Sequence, residues 1–401
     1  MGMVMRILFI ALQQEAESTR RPDGAPAGTD PARLARLEAG QALAMAGSLR
    51  DGGRFAPLLV CRKGGRLHAE AQALGLPALA VGGGGDVTAH ARLWLWQRRH
   101  KALLIQTVGA EAVGLGRRVL GMRKKGSALL SHAFFVRPPA PECCRSRAMR
   151  AAARVFCGSE HVRRRIREIW EGMPEKRRPA AVLDMLAPGV ALADYRLEPV
   201  APAAGAARRF VFGMGESLAP RSGALLMVRA MAALWQRDDL PPWEVRMFGA
   251  GPRFEEVLRE AASLGVASRL CILGDQAPTD ALRHCGAWVA PGTSPEELPQ
   301  TLWAGVAAGL PVICAQSALH RERLAGAPAA TALRVEENDP QALARAMIGV
   351  MRDERLRARM RQAEEQFRPS IGLECMAERF RACCEELAGD PGSWTPTAPA
   401  R

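Results

Sequence analysis

Between positions 209 and 315, short apolar runs alternate with stretches whose apolar residues recur at helical spacing, and this pattern constrains the fold more than any other feature. The run 209–213 ends in Gly213, and 223–235 then repeats Leu225, Leu226, Val228, Met231 and Leu234 at the spacing of one helix face. Strands are predicted again at 245–248, 270–273, 287–290 and 311–315, and helices at 254–264, 279–284 and 300–308. Parallel strands need a crossover, and a helix joined by connections of a few residues supplies one. The segment is therefore read as α/β, a doubly wound parallel sheet built of βαβ units.

The first half shows the same alternation less cleanly, with strands predicted at 6–12, 56–61, 78–81, 103–107, 128–131, 155–157 and 181–183. At 401 residues the chain exceeds one ordinary domain, so two Rossmann-like domains are expected, at 1–198 and 209–370. Residues 199–208 have the composition of a linker, 371–388 read as a last amphipathic helix, and 389–401 as a disordered tail. The stretch 17–31, rich in Gly, Pro and Asp, is expected to be a mobile loop. Four successive glycines, Gly82, Gly83, Gly84 and Gly85, suggest a phosphate cradle, but no helix-opening pattern follows and a flexible loop is the reading.

Charge divides unevenly. Of the net +14, residues 1–198 hold 32 Lys and Arg against 17 Asp and Glu, which leaves 23 against 24 in the remainder. Clusters such as Arg163, Arg164 and Arg165 attract polyanions or an anionic membrane face, or they are simply a solvated surface. No nucleic-acid partner is expected, because neither a known binding motif nor a basic–aromatic platform is present. The apolar run 4–12 is too short to span a bilayer, and Gln13, Gln14 and Glu15 follow it without a cleavage site. It is read as a buried first strand of a cytoplasmic protein, one that sits peripherally at the inner membrane face if the basic half meets lipid. The ten cysteines include two adjacent pairs and no C-x-x-C, so reduced thiols are expected and no metal site.

Chemistry concentrates in 290–315, APGTSPEELPQTLWAGVAAGLPVICA. A strand end, a Pro-Gly-Thr-Ser turn and two acids lead into a helix, then into a Gly-x-Pro-Val strand start. A loop feeding a helix N-terminus offers free N–H groups and a positive dipole end to a pyrophosphate, and a glutamate at the turn can accept from sugar hydroxyls. An ordinary βαβ unit whose acids cap the helix fits the same residues.

This segment resembles the signature of the retaining GT-B glycosyltransferases of group 1, or family 4. Glu296 falls on the family's first glutamate, Leu298, Pro299, Thr301 and Leu302 suit its loop, and Ala307, Gly309, Pro311 and Val312 match its end. The family's second glutamate position holds Ala304, and the register through Glu297 puts Gly305 there. Upstream, 210–223 resembles the family's strand, Gly-Arg-Leu loop and Lys-Gly turn, with Gly215 as the loop glycine. Here the arginine position is Glu216 or Ser217, and the lysine position is Ser222 beside Arg221. Gly249 and Gly251 lie in a match to Gly-x-Gly-Pro, Gly274 in a match to Leu-Gly, and Ser131-His132 resembles a Thr-x-His strand end reaching toward the donor sugar.

The resemblance implies a GT-B fold, two doubly wound domains facing across a cleft with the terminal helix crossing back. It also implies transfer of a sugar with retention from a nucleotide-diphosphate donor, UDP- or GDP-linked, to a glycan or lipid-linked acceptor. No cofactor or metal is needed. His132 and Glu296 are implied to act at the sugar. Gly215, Arg221, Ser222, Gly249, Gly251, Gly274, Glu296, Glu297, Leu298, Pro299 and Thr301 are implied to hold the donor. Because Ala304, Ser222 and Glu216 replace charged family residues, the alternative is a non-catalytic relative that binds nucleotide or glycan as a partner subunit.

Overall fold

The computed structural model describes residues 5–12, 31–82, 87–100, 102, 104–121, 130–195, 209–274, 282–294 and 300–389. The loop expected at 17–31 lies almost wholly outside the described residues, as do three of the four glycines at 82–85, the linker, half of the helix expected at 279–284 and nearly all of the tail. The described residues form two compact units, one of the chain up to Gly189 with the segment from Leu373, the other Val190–Gly372.

The first unit holds β1 (Met5–Ala11), β2 (Phe55–Arg62), β3 (Ala78–Val81), β4 (Leu104–Val108), β5 (Leu130–Phe135), β6 (Arg154–Cys157) and β7 (Val182–Met185). These seven form one parallel sheet in the order β3-β2-β1-β4-β5-β6-β7. Central β1 is an unbroken apolar run, Ile7 to Ala11, fully buried, as a strand covered by helices on both faces must be. The last helix, Leu373–Gly389, packs into this unit against the helix Pro31–Asp51. Its Phe380 meets Phe9 and Phe156 edge-on, ring centroids 5.9 and 5.6 Å away. The chain thus returns from the second unit to complete the core of the first, as the GT-B reading requires.

The second unit holds β8 (Phe210–Met214), β9 (Trp243–Met247), β10 (Leu270–Ile272), β11 (Ala287–Ala290), β12 (Val312–Ala315) and β13 (Ala332–Val335), parallel in the order β10-β9-β8-β11-β12-β13. Trp288 of β11 fills the centre of this unit at 1% exposure, stacked on Phe248 with centroids 6.2 Å apart. Three glycines make the space: a Cβ on Gly213, Gly215 or Gly305 would lie 2.7, 2.4 or 2.7 Å from the tryptophan's atoms. The Trp288 indole N–H donates to the Thr301 carbonyl at 2.6 Å and so fixes the first turn of the helix Gln300–Ala307.

Two expectations are corrected. Strand β5 does not end at 131 but runs to Phe135, because Ala133, Phe134 and Phe135 continue the apolar run and are all buried. Strand β13 and the helix Ala318–Arg323 were not foreseen from the sequence, since four and six residues are too few to show a period.

The glycine contacts can be tested. Gly215→Ala drives a methyl into the Trp288 ring and is expected to lower stability by about 1–3 kcal/mol in urea unfolding. Gly274→Ala, at φ +66° with open space around it, should cost only about 1 kcal/mol of backbone strain. An unchanged midpoint for Gly215→Ala would mean that the ring does not occupy this position.

Candidate functional site

In an open parallel sheet the loops leaving the C-terminal strand ends diverge where the strand order reverses, and ligands bind in the crevice that results. In the second unit that point lies between β8 and β11. The loop 215–223 leaves β8 and enters the helix Ala224–Trp235, and the segment 291–294 leaves β11.

One side chain ties these two loops together. Glu216, 2% exposed, accepts the Gly223 N–H on Oε2 at 2.7 Å and the Gly292 N–H on Oε1 at 2.8 Å. A parallel bond runs from the Thr293 N–H to the Arg221 carbonyl at 3.2 Å. Both glycines are dictated by close approach: a Cβ on Gly223 would lie 2.2 Å from Pro291 Cγ, and one on Gly292 2.3 Å from Glu216 Oε2. Burial pushes the Glu216 carboxyl up to about 7, against the opposing pull of the two amides and of the Arg323 charge. Arg323, at the end of the helix Ala318–Arg323, is itself 8% exposed.

Of the donor residues expected from the sequence, Gly215, Arg221 and Ser222 lie in the loop that leaves β8. Gly215 backs onto Trp288. Arg221 is exposed and has φ 65°, a left-handed backbone in a residue with a Cβ, and half-buried Ser222 adjoins it. Gly249 and Gly251 follow β9, but their nearest neighbours are protein backbone: a Cβ on either would lie 2.2 Å from the Glu216 or Leu218 carbonyl oxygen. The Leu218 N–H donates to the Ala250 carbonyl at 3.1 Å and the Arg253 N–H to the Leu218 carbonyl at 3.0 Å, so these glycines let the β9 loop lie flat on the β8 loop. Gly274 follows β10 in a left-handed turn. Thr301 is buried in the first turn of its helix, tied to Trp288. Glu296, Glu297, Leu298 and Pro299 lie outside the described residues.

His132 is in the other unit and is not at a strand end. It sits within β5, in register with Gln106 of β4 and Arg154 of β6, three residues before the strand stops. Sequence reasoning missed the bridging role of Glu216, which it registered only as the absence of an arginine, and it missed Arg323. The signal for the first was a lone acid in an apolar loop facing a Pro-Gly turn after the next strand of the sheet.

Two other buried groups flank this sheet. His320 holds its Nδ1 2.9 Å from the Ala315 carbonyl oxygen, and burial, with the Arg323 charge, pushes its pKa down to about 4. Glu364 on the helix Glu354–Phe367 is fully buried, and burial pushes its carboxyl up to about 10.

Two parallel-sheet α/β units, the last helix returning to the first, and a crevice edge at the strand reversal of the second define the GT-B class. Solved structures share the fold. The HepE protein of Anabaena in complex with UDP and glucose has TM-score 0.65 and 16% identity, covering 96% of this chain and 100% of that one. A glycosyltransferase of Rickettsia africae ESF-5 has TM-score 0.66 and 15% identity, covering 96% and 99%. Residues 204–367 match the family Glycosyl transferases group 1, and the chain carries that domain in divergent form. A phosphatidyl-myo-inositol mannosyltransferase of Mycolicibacterium smegmatis is 30% identical over 173 residues, 42% of this chain. That match spans 43% of the mannosyltransferase's length.

Glu216 predicts a pH dependence. Its folded pKa, about 7, lies above its ordinary value of 4.5, so the stability it contributes is full below 4.5 and is lost as pH rises through 7. The unfolding free energy of wild type relative to Glu216→Gln should therefore fall between about pH 5 and about pH 8. Chemical denaturation at a series of pH values measures it. Curves that stay parallel would mean that the carboxylate is ionised and solvated throughout.

Proposed function

We propose that the chain transfers a sugar, with retention of configuration, from a nucleoside-diphosphate sugar to a glycan or lipid-linked acceptor. The observation that carries this reading is the loop edge at the β8/β11 reversal, clamped by Glu216 and lying inside the segment that matches the group 1 family. Sugar transfer from such a donor leaves negative charge on the departing diphosphate, and preorganised hydrogen-bond donors and cations at that spot lower the barrier. The edge offers the exposed Arg221, and Glu296 is assigned to the sugar hydroxyls by the resemblance.

Two relatives support the substrate class. One is named for mannose transfer to phosphatidyl-myo-inositol, and another binds UDP and glucose. A UDP- or GDP-sugar donor follows for this chain. The positive surplus of the first half suits an anionic acceptor or the anionic face of a membrane, with the chain acting from the cytoplasmic side. No helix among the described residues is long and apolar enough to cross a membrane, so any lipid contact by those helices is peripheral.

Calorimetric titration at low salt with UDP, GDP, ADP and their sugar conjugates tests the proposal. One nucleotide should bind saturably, and Glu296→Ala and Arg221→Ala should each weaken the sugar conjugate about tenfold or more with unfolding temperatures unchanged. His132→Ala should lower turnover while leaving nucleotide affinity as it was. A folded protein that binds none of these nucleotides would overturn the reading.

A further inference from the structure

The helix Val87–His100 of the first unit follows β3 and carries Arg92, Arg98 and Arg99 with no acidic residue. Its inward face holds Leu93, Trp96 and Gln97. Leu93 is fully buried in the core cluster of Leu8, Ile10 and Val60, and half-buried Trp96 packs on the same cluster. The Gln97 amide donates to the Ala102 carbonyl at 3.4 Å. At about 100° per residue the opposite face is centred on Leu95, with Ala91, Trp94, Arg98 and Arg99 around it and Arg92 at its border, all exposed. Leu95, at 59%, is the most exposed large apolar side chain among the described residues, and Trp94, at 37%, adjoins it. The Arg98 guanidinium lies 4.5 Å from the centroid of the Trp94 ring, a cation–π contact that steadies the ring at the surface.

A single exposed leucine is ordinary on a protein surface, but a leucine and a tryptophan side by side among three arginines call for an explanation. Other basic clusters of this unit differ. Arg163 is paired with Glu160 at 2.6 Å, and Arg164 and Arg165 with Glu168 at 3.8 and 3.3 Å. Arg178 donates to the Met173 and Glu171 carbonyls at 3.0 and 2.8 Å. The helix Ala110–Gly121 packs beside Val87–His100, and its outward side adds the exposed Arg117 and Arg118. Its one acid, Glu111, is paired with Arg62 at 3.3 Å. The positive charge of the first half is therefore least compensated where its apolar side chains are most exposed.

We propose that this face docks on an anionic lipid bilayer, with the helix Val87–His100 lying in the plane of the surface. Leu95 and Trp94 enter the boundary between headgroups and acyl chains, where amphipathic indoles concentrate, and Arg92, Arg98 and Arg99 reach the lipid phosphates. The inference rests on the reading above that the chain works at a lipid surface, and it needs nothing from the donor site in the other unit. Charge complementarity selects this occupant. A second copy of the chain would bring arginines against arginines, and a soluble polyanion would leave Leu95 and Trp94 in water. A bilayer with acidic headgroups answers both the charge and the apolar crest.

The experiment is sedimentation of the full chain with vesicles of phosphatidylcholine alone or mixed with phosphatidylglycerol, at about 0.05 M and about 0.5 M salt. The mixed vesicles should bind about tenfold or more tightly at low salt, with the preference shrinking at high salt. Arg92→Gln, Arg98→Gln and Arg99→Gln should each weaken that binding about fivefold, and Leu95→Glu about tenfold or more. Trp94→Ala should remove part of the quenching of tryptophan fluorescence by brominated acyl chains. These side chains are exposed, so unfolding temperatures should match wild type. No preference for the mixed vesicles, wild-type affinity in Leu95→Glu, or undiminished quenching in Trp94→Ala would overturn the proposal. So would a dimer in lipid-free solution that Leu95→Glu dissociates, because the face would then belong to a second copy. Nucleotide affinity should be unchanged in every variant. Vesicle binding by a protein that takes no nucleotide would uphold this surface while the donor reading fails; nucleotide binding without vesicle binding would sink this surface alone.

Discussion

A carboxylate buried in a protein interior must be satisfied by hydrogen bonds or it is expelled, and in this chain the satisfaction of Glu216 organises the functional edge. Its two oxygens take amides from two loops that are far apart in sequence, one before the helix Ala224–Trp235 and one after β11. Those loops belong to strands that neighbour each other only because the order reverses between β8 and β11. In an open sheet the crevice at such a reversal is a gap between diverging loops, and a single buried side chain here spans it from beneath. The glycines follow from this contact, since Gly223 and Gly292 stand where any side chain would collide with Pro291 or with the carboxylate itself.

Beneath that bridge the support is aromatic. The chain has only 5% aromatic residues, and one of its eight tryptophans stands among three glycines here. Trp288 is buried among these glycines, and its N–H anchors the first turn of the helix Gln300–Ala307. Rigidity beneath and a bridge above have the same effect: the two loops are held in fixed positions relative to each other.

Much of the fold was legible because parallel strands buried on both faces leave unbroken apolar runs, such as Ile7 to Ala11 and Ala287 to Ala290, whose limits glycines and charges mark. The end of β5 was misplaced because Ala133 to Val136 continues the run without punctuation. The edge was legible as a location and less so as chemistry. Gly249 and Gly251 read as donor-binding glycines, yet their lack of side chains is explained by the backbone of the β8 loop passing 2.2 Å from where a Cβ would be. Glu216 read as a missing arginine because a sequence position records which charge is present and not which way it points. Its inward course depends on Gly292, 76 residues further on, and no local pattern encodes that distance.

Charge is where this chain departs most from what the resemblance leads one to expect, and the distribution makes local geometry decisive. The positive surplus lies in the first 198 residues, and the remainder is close to neutral. A polyanionic donor is therefore not drawn to the second unit by that unit's own net charge, which would in any case be screened within about 10 Å at ordinary ionic strength. What acts on a bound diphosphate must be within contact range and shielded from water, where one charge outweighs several on the surface. At the β8/β11 edge the buried Glu216 carboxyl meets this condition, and because burial pushes it up to about 7 its charge depends on one proton. A site so arranged answers to protonation in a way that a site built on arginine and lysine, both charged at every physiological pH, does not.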